Sequence, residues 1–312
     1  MTNPRSDVRI GLVGGADARQ VQELEALPID SLWTGGHIAS RNPSPEAMVG
    51  LVRLATLTER VTVGTSILLL PLYPPALVAK QIADLDRATN GRVMLGVGIG
   101  GEYPQEFRAV QVPIEERGRR TNEIIPLLRR LWTATEVTHD GRYPMEDVKI
   151  HPAPVQPGGP PIIVAGRQEP AMRRAALLGD GWFPYMYSPR RYADSVATVR
   201  QTAEDAGRDL SGFHWCVWVF LNIDPDGDTA REAAARTMGG TYDQDFRAMI
   251  DRVAAAGTAE EVTDKLRMFY DAGARHFVVL PATGGADPQP VLDRLFAEVV
   301  PALHEHAAGA RG

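Results

Sequence analysis

Eight short apolar segments recur along the chain, and stretches with helical periodicity separate most of them. The predicted strands are residues 9–13, 31–34, 61–68, 92–97, 162–165, 181–184, 214–222 and 276–280. Strands that alternate with helices indicate a parallel α/β sheet. Eight such units in 312 residues fit a (β/α)8 TIM barrel better than an open sheet of five or six strands. We therefore predict a single barrel domain over residues 1–312.

The helices between these strands have recognisable ends. Pro74-Pro75 opens one helix and Asn90-Gly91 closes it. Thr258 and Glu261 have the spacing of a capping box at the start of another. Residues 115–132 form a long amphipathic helix, in which Pro126 predicts a kink.

Two stretches are predicted to be insertions on the barrel. Residues 136–161 contain the hairpin-turn pair Asp140-Gly141 and then five prolines, which favour an extended excursion. Residues 224–257 contain Met238-Gly239-Gly240, which predicts a break between two helical pieces. This second insertion is a candidate for a mobile lid.

The charge and the apolar pattern restrict the class of partner. A net charge of −6 and a pI near 5.7 argue against a nucleic-acid-binding protein, which normally carries a basic face. No apolar stretch approaches the roughly 20 residues of a membrane helix, and the first residues lack a signal-peptide pattern. We expect a cytoplasmic protein. The single cysteine, Cys216, excludes an intramolecular disulfide and is expected in the core.

A glycine-rich turn follows the fourth predicted strand. Gly96, Gly98, Gly100 and Gly101 remove side chains where that strand ends, so a flat ligand can approach the backbone. The spacing of Gly96, Gly98 and Gly101 also satisfies G-x-G-x-x-G, the dinucleotide-binding fingerprint. That reading is set aside, because residues 102–104 interrupt the turn and no second strand follows. A turn that merely lets strand and helix pack closely stays an alternative.

In a barrel of this kind the active site lies at the carboxyl ends of the strands, so the residues there are candidates. The segments at these positions are Gly35-Gly36-His37, Thr65-Ser66-Ile67, residues 98–102, Ala165-Gly166-Arg167-Gln168 and Gly181-Trp182-Phe183.

The residues of several segments, and the order of these segments along the chain, resemble the bacterial luciferase-like family of flavin and deazaflavin oxidoreductases. The segments are SLWTGGHIA, VTVGTSILLLPLYPPALVAKQIADLD, LGVGIGGEYPQEF, ERGRRTNEIIPLLRRLW, DGRYPMEDVKIHPAPVQPGGPPIIVAG, RRAALLGDGWFP and GTAEEVTDKLRMFYDAGARHFVVLP. They cover nearly the whole chain. Within the family, the chain looks most like the branch that depends on the deazaflavin coenzyme F420.

The resemblance implies a ring system lying across the strand ends, and a non-proline cis peptide at Ser66-Ile67. It implies that His37 takes part in proton transfer, which an imidazole can do near neutral pH. The alternative is that His37 only holds loop backbone. Glu102 resembles a general-acid carboxylate, although the second glycine before it shifts its register by one residue. Glu106 is the nearest competitor and reads as a helix-start or structural carboxylate.

The resemblance also implies phosphate binding near the loop after the fifth strand. Arg167 is the predicted charged contact, and the N–H groups opening the helix at residues 169–172 add a favourable dipole. The predicted coenzyme-binding residues are His37, Thr65, Ser66, Ile67, Gly98, Ile99, Gly100, Gly166, Arg167, Gln168, Gly181 and Trp182. The remaining histidines form no spacing typical of a metal site.

Three functions follow from these predictions. The first is an F420-dependent oxidoreductase that transfers a hydride between the coenzyme and a small organic substrate. The second is a luciferase-like monooxygenase that uses reduced FMN and oxygen. The third is a flavin-binding protein without turnover, which the presence of His37, Ser66 and the glycine turn disfavours. Because relatives are often dimers, a homodimer is expected.

Overall fold

The computed structural model describes residues 7–310. Within this range the strands are β1 (Arg9–Val13), β2 (Ser31–Thr34), β3 (Thr62–Thr65), β4 (Leu68–Leu69), β5 (Val93–Gly98), β6 (Val137–His139), β7 (Met145–Val148), β8 (Ile162–Ala165), β9 (Gly181–Phe183), β10 (His214–Ile223), β11 (Ala254–Gly257) and β12 (His276–Pro281). The α-helices are α1 (Ala18–Ala26), α2 (Ala47–Leu57), α3 (Pro75–Ala88), α4 (Pro104–Ala109), α5 (Arg117–Thr133), α6 (Glu169–Leu178), α7 (Pro189–Asp205), α8 (Gly227–Tyr242), α9 (Ile250–Val253), α10 (Ala259–Asp271), α11 (Gln289–Arg294) and α12 (Val300–Gly309).

Eight parallel strands close into a barrel, which confirms the predicted (β/α)8 fold. The closed order is β1, β2, β3, β5, β8, β9, β10 and β12, and β12 pairs back to β1. The predicted strand 61–68 is interrupted at Ser66-Ile67, whose peptide bond is cis as expected. After this interruption Leu68–Leu69 resume the pairing with β5.

The barrel interior is filled around the indole of Trp33. It packs in a buried cluster with Met94, Ile163, Phe183, Cys216 and Val278, so the predicted burial of Cys216 is confirmed. Gly64 leaves the space that the indole occupies, because a Cβ there would lie 2.5 Å from Trp33 ring atoms. The indole N–H donates to Ser31 Oγ at 2.7 Å. The barrel is therefore a packed core below its carboxyl-end rim.

Two predicted helix ends are confirmed. Helix α3 begins at Pro75, and Asn90 and Gly91 both adopt positive φ beyond its end. Helix α10 has the complete capping box between Thr258 and Glu261. Among residues 7–310, none of the helices combines the length and the apolar character that a membrane crossing requires.

The two insertion segments differ in how well the sequence predicted them. Strands β6 and β7 form an antiparallel hairpin around Asp140-Gly141, as expected. The predicted break at Met238-Gly239-Gly240 is wrong, because α8 runs unbroken from Gly227 to Tyr242. Its buried face, which includes Ala234 and Met238, packs against the barrel and outweighs the cost of two helical glycines, about 1 kcal/mol each. The unpredicted strand β11 pairs in parallel with the last residues of β10.

Candidate active site

Partly buried side chains lie above the interior cluster at the carboxyl-end rim, and the space that they border is called the hollow below. Its floor consists of four partly buried side chains that pack on that cluster: Val13, Ile67, Ala165 and Trp218. They come from β1, the segment after β3, β8 and β10, which are distant in sequence. The closed barrel brings them together because all eight strands point the same way.

The Thr65-Ser66-Ile67 segment and Gly98 form one wall of the hollow. Thr65 is buried, and its hydroxyl donates to the carbonyl oxygen of Gly96 at 2.7 Å, which ties β3 to β5. A Cβ on Gly98 would lie 1.9 Å from Ile67 Cδ1, so the glycine is what allows Ile67 to lie across the end of β5. Ile99 and Gly100 follow at the rim, both partly exposed, and Gly100 has φ +63.

Two buried polar atoms near this wall have no protein partner. Ser66 Oγ and the Trp218 indole nitrogen are both inaccessible to solvent, and neither makes a hydrogen bond within residues 7–310. A buried polar group without a partner costs free energy, so such groups usually mark a ligand or a bound water. Together with the apolar floor, they fit a flat ring that carries hydrogen-bonding edges.

His37, in the loop after β2, and Glu106, in α4, form a dyad on the carboxyl-end side of the barrel. His37 Nδ1 lies 3.2 Å from both carboxylate oxygens of Glu106. The Glu106 side chain is fully buried, whereas 27% of the His37 side chain is exposed. Glu106 Oε1 also accepts the backbone N–H of Ile38 at 2.8 Å and that of Ala39 at 3.4 Å. Because a carboxylate only accepts, Nδ1 carries the hydrogen.

This pairing leaves the other imidazole nitrogen available. Nε2 makes no hydrogen bond to the described part of the chain. With Nδ1 protonated and held, Nε2 of the neutral ring is a proton acceptor. The ring is also fixed by Tyr103, whose ring meets it edge-on at 4.9 Å between centroids. The arrangement can take a proton from a hydroxyl group, or return one.

Glu102 is placed differently from Glu106. It is exposed and forms no hydrogen bond or ion pair within residues 7–310. It lines a cavity of about 320 Å³ together with Arg41, residues 103–105 and residues 241–243. The structure therefore brings Glu106 into contact with His37, and sets Glu102 in the adjoining cavity.

The loop after β8 carries the predicted phosphate contacts. Gly166 has φ +139, and a Cβ there would lie 2.5 Å from Ala171 Cβ, so the tight turn into α6 requires glycine. The Arg167 guanidinium lies over the Tyr185 ring at 4.6 Å. Gln168 precedes α6, and its carbonyl oxygen accepts the N–H groups of residues 171 and 172. Residue 170 is proline, so among residues 169–172 the N–H of residue 169 is the one without a partner in the described range 7–310.

Two predicted coenzyme-binding residues do not reach the rim. Gly181 begins β9, at the amino end of the barrel, where a Cβ would lie 2.6 Å from the His214 carbonyl oxygen. Trp182 is fully buried outside the barrel interior, and its indole N–H donates to the Gly166 carbonyl oxygen at 3.0 Å. Trp182 therefore supports the loop that carries Arg167.

Sequence reasoning gave no site role to three of the residues that the structure places here. Trp218 was not among the predicted site residues, and Glu106 was expected only as a helix-start or structural carboxylate. Arg41 had no predicted role. One signal for Glu106 was present, because Pro104 favours the first turn of a helix and so sets Glu106 in that turn.

Tyrosines on this side of the barrel keep their protons at neutral pH. Burial raises the pKa of Tyr185 and of Tyr242, and the Glu102 charge raises both further, whereas Arg167 lowers both. Burial also raises the pKa of Tyr103. These hydroxyl groups are therefore neutral donors. Within residues 7–310 no three His, Cys, Asp or Glu side chains are grouped to hold a metal ion.

Comparison with known proteins gives the family. A family model described as luciferase-like monooxygenase matches residues 15–276. Over 167 residues the chain is 36% identical to an uncharacterised protein of Mycobacterium tuberculosis. That alignment covers 53% of this chain and 57% of the relative, so the chain spans little more than half of the relative's length.

Two further similarities extend over most of the chain. An F420-dependent glucose-6-phosphate dehydrogenase of Gordonia bronchialis is 27% identical over 300 residues, covering 87% of this chain and 85% of that protein. A solved structure of an F420-dependent secondary alcohol dehydrogenase, in complex with an F420-acetone adduct, superposes with a TM-score of 0.82 at 22% identity. It covers 95% of this chain and 99% of that chain, and supports the fold.

Proposed function

The chain belongs to the luciferase-like monooxygenase family, and we propose that it is an F420-dependent oxidoreductase transferring a hydride between the coenzyme and an organic substrate. The observation that carries the proposal is the His37–Glu106 dyad on the carboxyl-end side of the barrel. A hydride transfer to or from an alcohol carbon needs a partner that moves the hydroxyl proton. The free Nε2 of His37 fills that role.

The residues around the hollow fit a deazaflavin. The apolar floor of Val13, Ile67, Ala165 and Trp218 suits the flat face of a tricyclic ring. Ser66 Oγ and the Trp218 N–H offer hydrogen bonds to its polar edges. When bound, the coenzyme supplies the site that accepts or gives up the hydride.

The chain's own residues have separate tasks in this proposal. Glu106 holds His37 in one tautomer and one orientation, because its carboxylate accepts the hydrogen of Nδ1. Gly98 and Ile67 set the surface against which the ring lies. Arg167 is the candidate contact for a coenzyme phosphate, since its guanidinium is free of any carboxylate partner within residues 7–310.

The second candidate is a monooxygenase that uses reduced FMN and oxygen. The specific observation in its favour is the family description itself, luciferase-like monooxygenase, which matches residues 15–276. The F420-dependent relative weighs against it, because that similarity extends over 87% of this chain. The same hollow and the same histidine serve either chemistry.

Titration of the purified protein with F420 and, separately, with FMN tests the proposal. We expect saturable F420 binding, and hydride exchange with an alcohol or a carbonyl compound. The absorbance of the coenzyme measures the exchange. Reduced-FMN-dependent oxygen uptake without F420 binding would support the monooxygenase, and coenzyme binding without any turnover would indicate a binding protein.

The variant His37→Ala separates proton transfer from coenzyme binding. We expect turnover to fall much more than coenzyme affinity, because the ring of His37 exchanges a proton while the floor and walls hold the coenzyme. Equal loss of turnover and affinity would contradict the proton-transfer role and favour a histidine that only supports the loop.

A cytoplasmic location and a homodimeric state are further proposals. Light scattering coupled to gel filtration measures the oligomeric state directly, and a monomer would contradict the second of these proposals.

A further inference from the structure

The cavity beside the dyad has an excess of negative charge. Among its lining residues, all within the described range 7–310, the charged side chains are Arg41, Glu102 and Asp243. Two carboxylates and one guanidinium leave a net charge of −1. The two lining tyrosines, Tyr103 and Tyr242, stay neutral because burial raises the pKa of each.

The positive charge in this cavity is already engaged. Arg41 Nη1 donates to Asp243 Oδ2 at 2.7 Å, and the pair joins the loop after β2 to the end of α8. Glu102 has no such counter-ion within residues 7–310. An anion entering the cavity therefore meets an unpaired carboxylate and a guanidinium whose charge is compensated.

The cavity also adjoins the group that would exchange a proton. Tyr103 lines the cavity and contacts the His37 ring edge-on at 4.9 Å. The second lining tyrosine, Tyr242, stacks on Tyr185 with 6.5 Å between ring centroids. Tyr103 and Tyr242 give the cavity aromatic surface, and Glu102 gives it a hydrogen-bond acceptor.

From this arrangement we infer that the cavity is the substrate subsite, and that it takes an uncharged or cationic alcohol, or the matching carbonyl compound, in preference to a phosphate- or carboxylate-bearing one. The inference rests on the proposed function and adds a substrate class to it. In the oxidation direction the carbinol C–H leaves as a hydride to the coenzyme and the hydroxyl proton passes to His37, so the alcohol becomes a carbonyl compound.

Three cyclohexanols that differ only in charge test this inference. The probes are cyclohexanol, trans-4-aminocyclohexanol and trans-4-hydroxycyclohexanecarboxylate, titrated calorimetrically into the F420-loaded protein. One unit charge near the unpaired Glu102 changes affinity about fivefold at the dielectric constant of water. We expect the anion to bind about fivefold more weakly than the neutral alcohol, and the cation to bind more tightly, with both differences shrinking as salt is added.

The variant Asp243→Asn makes the test specific to the cavity. This change removes the carboxylate that neutralises the Arg41 guanidinium. Asparagine tolerates the left-handed backbone that residue 243 adopts, with φ 55. We expect the anionic probe to gain about fivefold in affinity. The matched control is Asp245→Asn, because Asp245 pairs with Arg247 and does not line the cavity. It should leave all three affinities unchanged.

The outcomes separate the two proposals. Failure to bind F420 would overturn the proposed function and this inference together. F420 binding combined with tighter binding of the anion, or with no binding of any probe, would overturn only the inference. An equal response of the two asparagine variants would also count against it, because the effect would then not arise in the cavity.

Discussion

Glu106→Gln tests the dyad most directly. Glutamine has nearly the shape of glutamate, and its amide oxygen can still accept the N–H of Ile38, so the loop keeps that hydrogen bond. The amide nitrogen, however, is a donor and faces His37 Nδ1, where a carboxylate accepted before. We expect the imidazole to change tautomer, which moves its hydrogen to Nε2 and removes the proton acceptor from the hollow.

The expected loss follows from the contacts. A hydrogen bond to a charged group contributes about 1.5 to 3 kcal/mol, and about 1.4 kcal/mol corresponds to tenfold in rate. We therefore expect kcat for alcohol oxidation to fall about 10- to 150-fold. The affinity for the coenzyme should change less than about threefold, since the side-chain hydrogen bonds of Glu106 within residues 7–310 all go to residues 37–39.

Steady-state kinetics across pH, with coenzyme affinity measured in parallel, give the assay. The comparison variant is Glu102→Gln, the same change at an exposed residue that makes no bond to His37; because Glu102 lines the proposed substrate subsite, its KM is expected to change while the dyad stays intact. A change of the pH profile in Glu106→Gln alone assigns the dyad. If Glu102→Gln alters the profile and Glu106→Gln does not, Glu102 is the working carboxylate and the dyad is only structural. A parallel fall of kcat and coenzyme affinity in Glu106→Gln would likewise refute the reasoning.

Three other predictions follow from single contacts. Gly98→Val should weaken coenzyme binding at least tenfold in a fluorescence titration, because its side chain would push Ile67 into the hollow; unchanged affinity would refute this placement of the ring. Gly96→Ala should lower the free energy of unfolding by about 3 kcal/mol or more, since its Cβ would lie 1.9 Å from the Thr65 carbonyl oxygen; an unchanged denaturation midpoint would contradict that. Burial lowers the pKa of His276 to about 3, so its neutral form stabilises the fold fully above its unfolded pKa of about 6.5. This contribution is lost as the pH falls from about 6.5 towards 3, by about 1.4 kcal/mol per pH unit, and urea titrations should find a smaller loss in His276→Asn.

The strands were predictable because their pattern is local. Each barrel strand is a short apolar run with turn residues at its ends, and all eight predicted runs occur within about two residues of their expected limits. The helix α8 was harder, because Gly239 and Gly240 disfavour a helix locally. The helical conformation of α8 is stabilised by the packing of Ala234 and Met238 on the barrel, and that packing involves strands from elsewhere in the chain.

The site was predictable as a location and not as a set of contacts. Barrel geometry places residues after each strand at one rim, which was enough to select His37, Ser66, Ile67 and Gly98. It does not say which of two carboxylates four residues apart turns back towards the histidine. That choice depends on helix α4, whose first turn buries Glu106 beneath the His37 loop and leaves Glu102 outside.

The loop that carries His37 contacts the segment predicted to be a lid, residues 224–257. The backbone N–H of Ile38 in this loop donates to Glu106. The outer part of the loop contacts the end of α8: Arg41 pairs with Asp243, and Asn42 donates to the Gly240 carbonyl oxygen at 3.1 Å. The body of α8 is anchored by its buried face, so local opening there would expose packed apolar surface. The contacts at residues 240–243 are exposed and polar, and such contacts open at small cost. We therefore propose that any lid motion within residues 224–257 is confined to the end of α8, whose contacts with Arg41 and Asn42 link it to the loop that carries His37.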